Sequence, residues 1–149
     1  MDRDGRLKLR LAYVAKGRTA WADEAARDYT KRLKRYAPFE EWQLRPGREG
    51  ALPGRLGPSD RLVVLDPSGT ALSSEGWAGL VDGARNDGVG QLVVAIGGAS
   101  GHLPEVKARA WRTVRLGPCV LNHQVARVVV LEQLYRAWTI VNGEPYHRA

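Results

Sequence analysis

Residues 62–101 read LVVLDPSGTALSSEGWAGLVDGARNDGVGQLVVAIGGASG, and this stretch decides the fold. It opens on Leu62-Val63-Val64-Leu65, an uninterrupted apolar run closed by Asp66 and Pro67. A strand with one wet face alternates apolar and polar residues, whereas an unbroken run predicts a strand buried on both faces. Ser73 or Ser74 can cap a helix in which Trp77, Leu80, Val81 and Ala84 fall at core spacing. Asn86-Asp87-Gly88 turns the chain into a second buried strand, Gln91 to Ile96, and Gly97-Gly98-Ala99-Ser100-Gly101 follows at once. Strand, helix and strand in this order predict an α/β domain with a mostly parallel sheet.

The flanks extend that pattern. Toward the C-terminus, Pro104 suits the first turn of a helix to about Trp111, and Thr113 to Leu116 reads as a brief strand. Gly117-Pro118 then leads through Asn122-His123-Gln124 into an apolar helix. Val128, Leu131, Tyr135 and Trp138 form one row along it, and Val130, Leu134, Ala137 and Val141 a second. The stripe is too wide for one shallow contact. Glu132 and Arg136 are spaced for a helical ion pair. Asn142-Gly143 ends the helix, and Pro145 keeps it from restarting.

Toward the N-terminus, Leu7, Leu9, Leu11 and Tyr13 alternate with Lys8, Arg10 and Ala12, the pattern of a strand. Thr19 can cap a helix to about Tyr36 with Trp21, Ala25, Tyr29, Leu33 and Tyr36 on one face. Pro38 ends it, and a short strand follows with Glu40, Trp42 and Leu44 on one side. Residues 45–60, RPGREGALPGRLGPSD, keep no period and read as a structureless loop. Its arginines suit an RNA-facing arm, and an ordinary solvated loop explains it equally well.

At 149 residues the chain is expected to be a single domain with a real core. Its formal charge is +7, and 18 of its 23 basic residues are arginine, which suits phosphate binding. One cysteine rules out an internal disulfide framework and fits a reducing compartment. No signal peptide is apparent, and no apolar run approaches the roughly 20 residues that span a bilayer. A cytoplasmic protein without a membrane partner is the expectation.

Ligands of parallel sheets bind beyond the carboxyl ends of the strands. Three loops become candidates: the one after Leu65, Gly97 to Gly101, and Gly117 to Asn122. The glycine loop gives only G-G-x-x-G, which is neither a dinucleotide fingerprint nor a P-loop. His102, His123 and His147 show no metal-ligand spacing, and no Cys-x-x-Cys accompanies Cys119, so no metal is expected. Cys119 reads as a small buried apolar residue, and His123 as a hydrogen-bonder at a helix start. The parts for hydrolysis, redox work or phosphoryl transfer are missing. The residues suit a reaction whose cosubstrate already carries the reactive group, such as methyl transfer from S-adenosylmethionine. The last residues, Tyr146, His147 and Arg148, read either as a solvated end or as a kit for stacking on a base and neutralising charge.

The run from Leu65-Asp66 through IGGASG, then LNHQVARVVVLEQLYRAWTI and finally PYHR, resembles the small SPOUT-class methyltransferases. Among these it is most similar to the bacterial 23S ribosomal RNA pseudouridine N3-methyltransferases, the ribosomal RNA large subunit methyltransferase H family. The resemblance covers the chain from about Leu7 and implies a single domain, 1–149, with a C-terminal trefoil knot over about 91–142 and a functional tail at 143–149. It implies a homodimer acting on 23S ribosomal RNA within the 70S ribosome. S-adenosylmethionine contacts would come from Leu65, Gly98, Gly117, Pro118, Cys119, Val120, Leu121 and Asn122. Tyr146, His147 and Arg148 would act at the partner's cosubstrate site, with Arg136 a further catalytic candidate. Asn122 stands where the family usually has proline, so a less rigid loop is expected. The 45–60 loop is shorter than the family's. A SPOUT enzyme acting on transfer RNA and a catalytically silent RNA-binding protein are the rival readings.

Overall fold

The computed structural model describes residues 6–98 and 100–148. Among these, five strands form one sheet: β1 (Lys8–Val14), β2 (Phe39–Leu44), β3 (Arg61–Ala71), β4 (Gln91–Ile96) and β5 (Arg112–Arg115). Their order is β2-β1-β4-β3-β5, and every neighbouring pair is parallel. The helices α1 (Ala20–Leu33), α2 (Ser74–Asn86), α3 (Pro104–Arg109) and α4 (His123–Val141) connect and cover it. The α/β class expected from residues 62–101 is the one observed. Parallel strands bring their carboxyl ends to one edge, where the loops after β4 and β5 gather; β3 does not end at Leu65 as expected but runs on to Ala71, so it contributes Leu65–Pro67 from within the strand.

The sheet is covered on both faces. On one side α1, α2 and α4 pack over Leu9, Leu11, Val63, Val94 and their neighbours. On the other, Ala12, Val14, Val64, Val93 and Ala95 meet Leu52 and Val106. That second layer bears on β1 and on residues 45–60. The alternation Leu7-Leu9-Leu11-Tyr13 marks a strand, and because β1 lies between β2 and β4 its other face is buried too. Arg10 is the polar residue this traps: its guanidinium donates to Gln91 Oε1 at 3.1 Å and to Leu9 O at 3.2 Å. Residues 45–60 are not structureless. They hold short 3-10 turns at Glu49–Ala51 and Pro53–Arg55, and Leu52 between them is only 2% exposed. The segment is a lid on the sheet's second face, anchored because Ala12 and Val64 need cover from water.

α1 rotates away from the face predicted for it. Ala22, Ala26 and Leu33 are its buried residues, while Trp21 is 54% exposed. The helix stops at Leu33, and Thr19 caps it without a side-chain bond. Its backbone N–H instead donates to Asp23 Oδ2 at 3.2 Å. α2 behaves as expected: Ser73 Oγ accepts from Gly76 N–H at 3.0 Å, and Trp77, Leu80, Val81 and Ala84 are buried.

The two rows of α4 are largely used inside the chain. Val130, Leu131, Leu134, Tyr135, Ala137 and Trp138 are buried, and Val128 and Val141 half-buried. α4 lies in a trough with α1 on one side, α2 on the other and the sheet beneath. Fully burying Leu131 and Leu134 contributes roughly 1.5–3 kcal/mol each. The width of the stripe therefore needs no partner.

β3 makes the one irregular pairing. Val114 of β5 pairs with Leu65 and again with Thr70, and the register shifts between those two. A Cβ on Gly69 would lie 2.6 Å from the Val114 backbone, so residues 66–69 pass directly against β5. Only glycine permits that approach.

Candidate active site

The three loops chosen from the sheet argument converge on one pocket of about 450 Å3. Leu65, Gly98 and the whole segment Gly117–Asn122 line it, so the residues expected to contact a cosubstrate all border this one pocket. Its size falls within the roughly 300–1,000 Å3 of small-molecule sites. Asp66, Pro67, Ile96, Arg115, Leu116, His123 and Ala126 also border it. Sequence reasoning passed over these, although Asp66 and Leu116 sit directly beside residues it chose.

Backbone geometry explains the glycines. A Cβ on Gly97 would come within 2.8 Å of Gly101 C and 3.1 Å of His102 N, so the loop closes on itself only with glycine there. Gly101 and Gly117 have φ of +80° and +149°, where side chains are strained. His102 pins the loop from below, its Nε2 3.1 Å from Ala95 O. Burial holds this imidazole below the ordinary histidine range.

Asp66 is the acidic group of the pocket wall. Its Oδ2 accepts from the Ser68 N–H at 2.9 Å and from the Ser68 hydroxyl. Those bonds, aided by Lys107 Nζ at 3.4 Å, hold its carboxyl below the usual carboxylate range. Cys119 is exposed in the opposite wall, not buried as its flanks suggest. The short Gly117–Asn122 loop lies over the pocket and has no second layer to cover it. Val120 is 97% exposed for the same reason. Asn122 has φ of −56°, a value proline would adopt, and its Oδ1 accepts from Gln124 N–H at 2.8 Å. The helix start is thus fixed by a side-chain cap where a ring would have fixed φ.

The start of α4 is clamped by Arg127, which is 3% exposed. Its Nη1 donates to Asp23 Oδ1 at 2.7 Å and to Gln124 Oε1 at 3.0 Å. Its Nε and Nη2 donate to Glu41 at 2.7 and 2.8 Å, and the Tyr13 ring lies 4.1 Å away. Burial works against this charge, and the bonds from Glu41 and Asp23 more than offset it, raising the guanidinium pKa.

The tail is ordered against its own chain. Tyr146 packs edge-on against Tyr135 at 4.8 Å and donates from its hydroxyl to Glu132 Oε2 at 2.7 Å. Burial, then that bond, pushes its phenol pKa up. Arg136 Nη2 also bonds Glu132, at 2.8 Å, and its Nη1 meets His147 Nδ1 at 2.9 Å. His147 Nε2 lies 3.0 Å from Glu75 Oε1. A neutral imidazole protonated at Nε2 satisfies both contacts, accepting from Arg136 and donating to Glu75. The structure therefore brings Arg136, Tyr146 and His147 together, and leaves Arg148 exposed beside them. None of the four lines the pocket of its own chain. Glu132, a tail contact, lies nine residues past His123, about 14 Å along the helix.

Glu75 and Gln133 are the residues that sequence reasoning missed here. Glu75 holds His147, and Gln133 accepts from Ser74 Oγ at 2.8 Å, joining α2 to α4. Among the described residues no group of three or more His, Cys, Asp or Glu side chains could hold a metal ion. No helix is long and apolar enough to cross a membrane.

A parallel sheet whose glycine loops border one pocket of small-molecule size is followed by a helix and an ordered tail. The family profile described as "Predicted SPOUT methyltransferase" matches residues 7–147, and the chain belongs to that family. It is 38% identical over 152 residues to the ribosomal RNA large subunit methyltransferase H of Geotalea uraniireducens, covering 95% of this chain and 99% of that one. The protein of the same name from Geobacter metallireducens is 37% identical over 154 residues, 96% of this chain and 100% of its own.

Proposed function

We propose that this protein methylates N3 of a pseudouridine in 23S ribosomal RNA, within the assembled 70S ribosome, using S-adenosylmethionine. One observation carries the reading: Leu65–Pro67 of β3 and the loops after β4 and β5 frame a single pocket, lined mostly by apolar side chains and glycine backbone. That lining fits the cosubstrate. Leu65, Ile96, Leu116 and Leu121 offer an apolar seat for a flat base, and the Gly97-Gly98 and Gly117–Asn122 backbones offer hydrogen bonds to its polar edges. When bound, S-adenosylmethionine supplies an electrophilic methyl group on a sulfonium. The chain's part is orientation and charge. Arg148 stabilises the negative charge that develops on the base as its N3 proton leaves, and Tyr146 orients the ring. Glu132, Arg136 and Glu75 hold Tyr146 and His147 in place.

The enzyme works as a homodimer, each tail serving the other copy's pocket. Two features support this: the tail does not line its own pocket, and Trp21, Val120, Leu121 and Val125 leave apolar surface exposed at the pocket end of α4. Residues 1–149 act as one domain, and residues 91–142 are knotted. The double pairing of Val114 supports the knot, because β5 would then run beneath the arch of residues 66–69.

The test is transfer of labelled methyl from S-adenosylmethionine to 70S ribosomes lacking the modification, with naked 23S RNA and transfer RNA in parallel. Label on ribosomes, mapped to N3 of one pseudouridine, is expected. Label on transfer RNA alone would move the substrate. Absence of cosubstrate binding would leave only an RNA-binding role.

A further inference from the structure

A second polar-aromatic surface lies at the other end of β5, away from the pocket. Trp111 is 38% exposed and is anchored by its backbone N–H, which donates to Leu62 O at 2.7 Å. Two guanidiniums flank its ring, with Arg61 Cζ 4.3 Å and Arg112 Cζ 4.5 Å from the centroid. Arg61 is held by Asp87 at 2.8 Å. Arg112 is exposed, and among the described residues no carboxylate lies within ion-pair distance of it. Beside this stack opens a cleft of about 400 Å3 whose lining includes Thr70, Leu72, Trp111, Arg112 and Thr113.

We propose that Trp111, Arg61 and Arg112 with this cleft form a docking surface for a single-stranded segment of the RNA substrate. The inference rests on the reading above that the substrate is RNA. The exposed indole is a sequence-tolerant platform for an unstacked base, and the two guanidiniums beside it add cation–π and phosphate contacts. Arg112, with its fork unpaired, is free to take a phosphate bidentately, and the threonine hydroxyls can donate to sugar or phosphate oxygens. The net charge of +7 favours a polyanion over an apolar or basic partner. Position supports the assignment as well. β5 runs from Arg112 to Arg115, and Arg115 lines the cosubstrate pocket about 10 Å further along the strand. An RNA strand seated at Trp111 is thus led along the sheet edge toward the methyl donor.

The experiment measures anisotropy of a fluorescein-labelled single-stranded RNA dodecamer of mixed sequence, from about 50 to about 200 mM KCl. Trp111→Ala should weaken binding about fivefold or more, and Trp111→Phe should restore most of it. Arg112→Gln should weaken binding and flatten the log–log salt slope by about 0.7, one phosphate's worth on a single strand. In methyl transfer the same variants should raise KM for ribosomes and leave kcat unchanged, and calorimetric S-adenosylmethionine binding should be unaltered. Unchanged RNA affinity and ribosome KM in both variants would overturn the inference. So would competition by poly-glutamate as effective as that by unlabelled RNA of equal charge, since the surface would then read charge alone. If Trp111→Ala lowers the melting temperature sharply, the exposed Arg112→Gln decides. Should the parent protein methylate no ribosomal substrate yet bind the dodecamer through Trp111, the enzymatic reading fails and this inference stands.

Discussion

Replacing Arg127 by Met should be the most informative single change in the protein. The side chain is 3% exposed and satisfies Asp23 and Glu41, themselves 24% and 16% exposed. Methionine fills a similar volume but leaves two carboxylates and Gln124 without their donor. Removing one partner of a buried pair costs about 3–5 kcal/mol. The partial exposure of both carboxylates allows water to take up some of that, so about 2–4 kcal/mol is expected. For a chain of this length the melting temperature should fall by roughly 6–12 °C. The pH profile gives a second signature. Hydrogen bonding to Arg127 lowers the Asp23 pKa in the folded state. That carboxylate therefore contributes stability above its unfolded pKa of about 3.9, and loses it as pH falls through the lowered folded value. Arg127→Met should remove this acid-side slope. Because α4 begins at the Gly117–Asn122 loop, cosubstrate affinity should also fall. Thermal and urea denaturation of parent and variant at several pH values, with calorimetric cosubstrate binding, measure all three. A melting shift under about 2 °C with unchanged acid dependence would refute the view that this cluster clamps the helix. Restoring stability with Asp23→Asn and Glu41→Gln in the same chain would confirm that unpaired charge was the cost.

Gly97→Ala places a Cβ 2.8 Å from the Gly101 backbone, so calorimetry should show S-adenosylmethionine binding weakened at least about tenfold, with a smaller change in folding. Burial lowers the His102 pKa, so its contribution is intact above the unfolded value of about 6.5 and is lost as pH falls through the lower folded one. Urea midpoints should decline below that pH, and His102→Gln should flatten the decline. Tyr146→Phe loses the bond to Glu132, costing about 1–2 kcal/mol of tail docking. Methyl transfer should drop while S-adenosylmethionine affinity at the chain's own pocket stays the same. Sedimentation should find about twice 16.4 kDa, and a fully active monomer would sink the shared-site reading.

Much of the molecule was readable from local chemistry. The apolar runs at Leu62–Leu65 and Gln91–Ile96 read as strands buried on both faces, and the helix between them carries its own cap and apolar stripe. Their parallel arrangement points to the carboxyl-end loops, and the loops after β4 and β5 do line the pocket, joined by Leu65–Pro67 from within β3. The misreadings share one cause. The periodicity groups Trp21 with the wrong face because a 3.6 period fixes spacing but not which face turns to the sheet, and the burial of Leu52 has no signal because a lone leucine among prolines and glycines has no period. The burial of Arg10 and Arg127 has no local signal, because Gln91, Asp23 and Glu41 come from distant parts of the chain to pair them.

The sequence by itself thus determined the element types, their order and the glycine positions, since capping, apolar periodicity and positive φ are properties of a few adjacent residues. Only the tertiary structure decided which face of α1 is buried, that residues 66–69 lie against β5, and that Glu132, Arg136 and Glu75 hold the tail. Those outcomes depend on the close packing and charge pairing of segments far apart in the chain, and no local pattern encodes them.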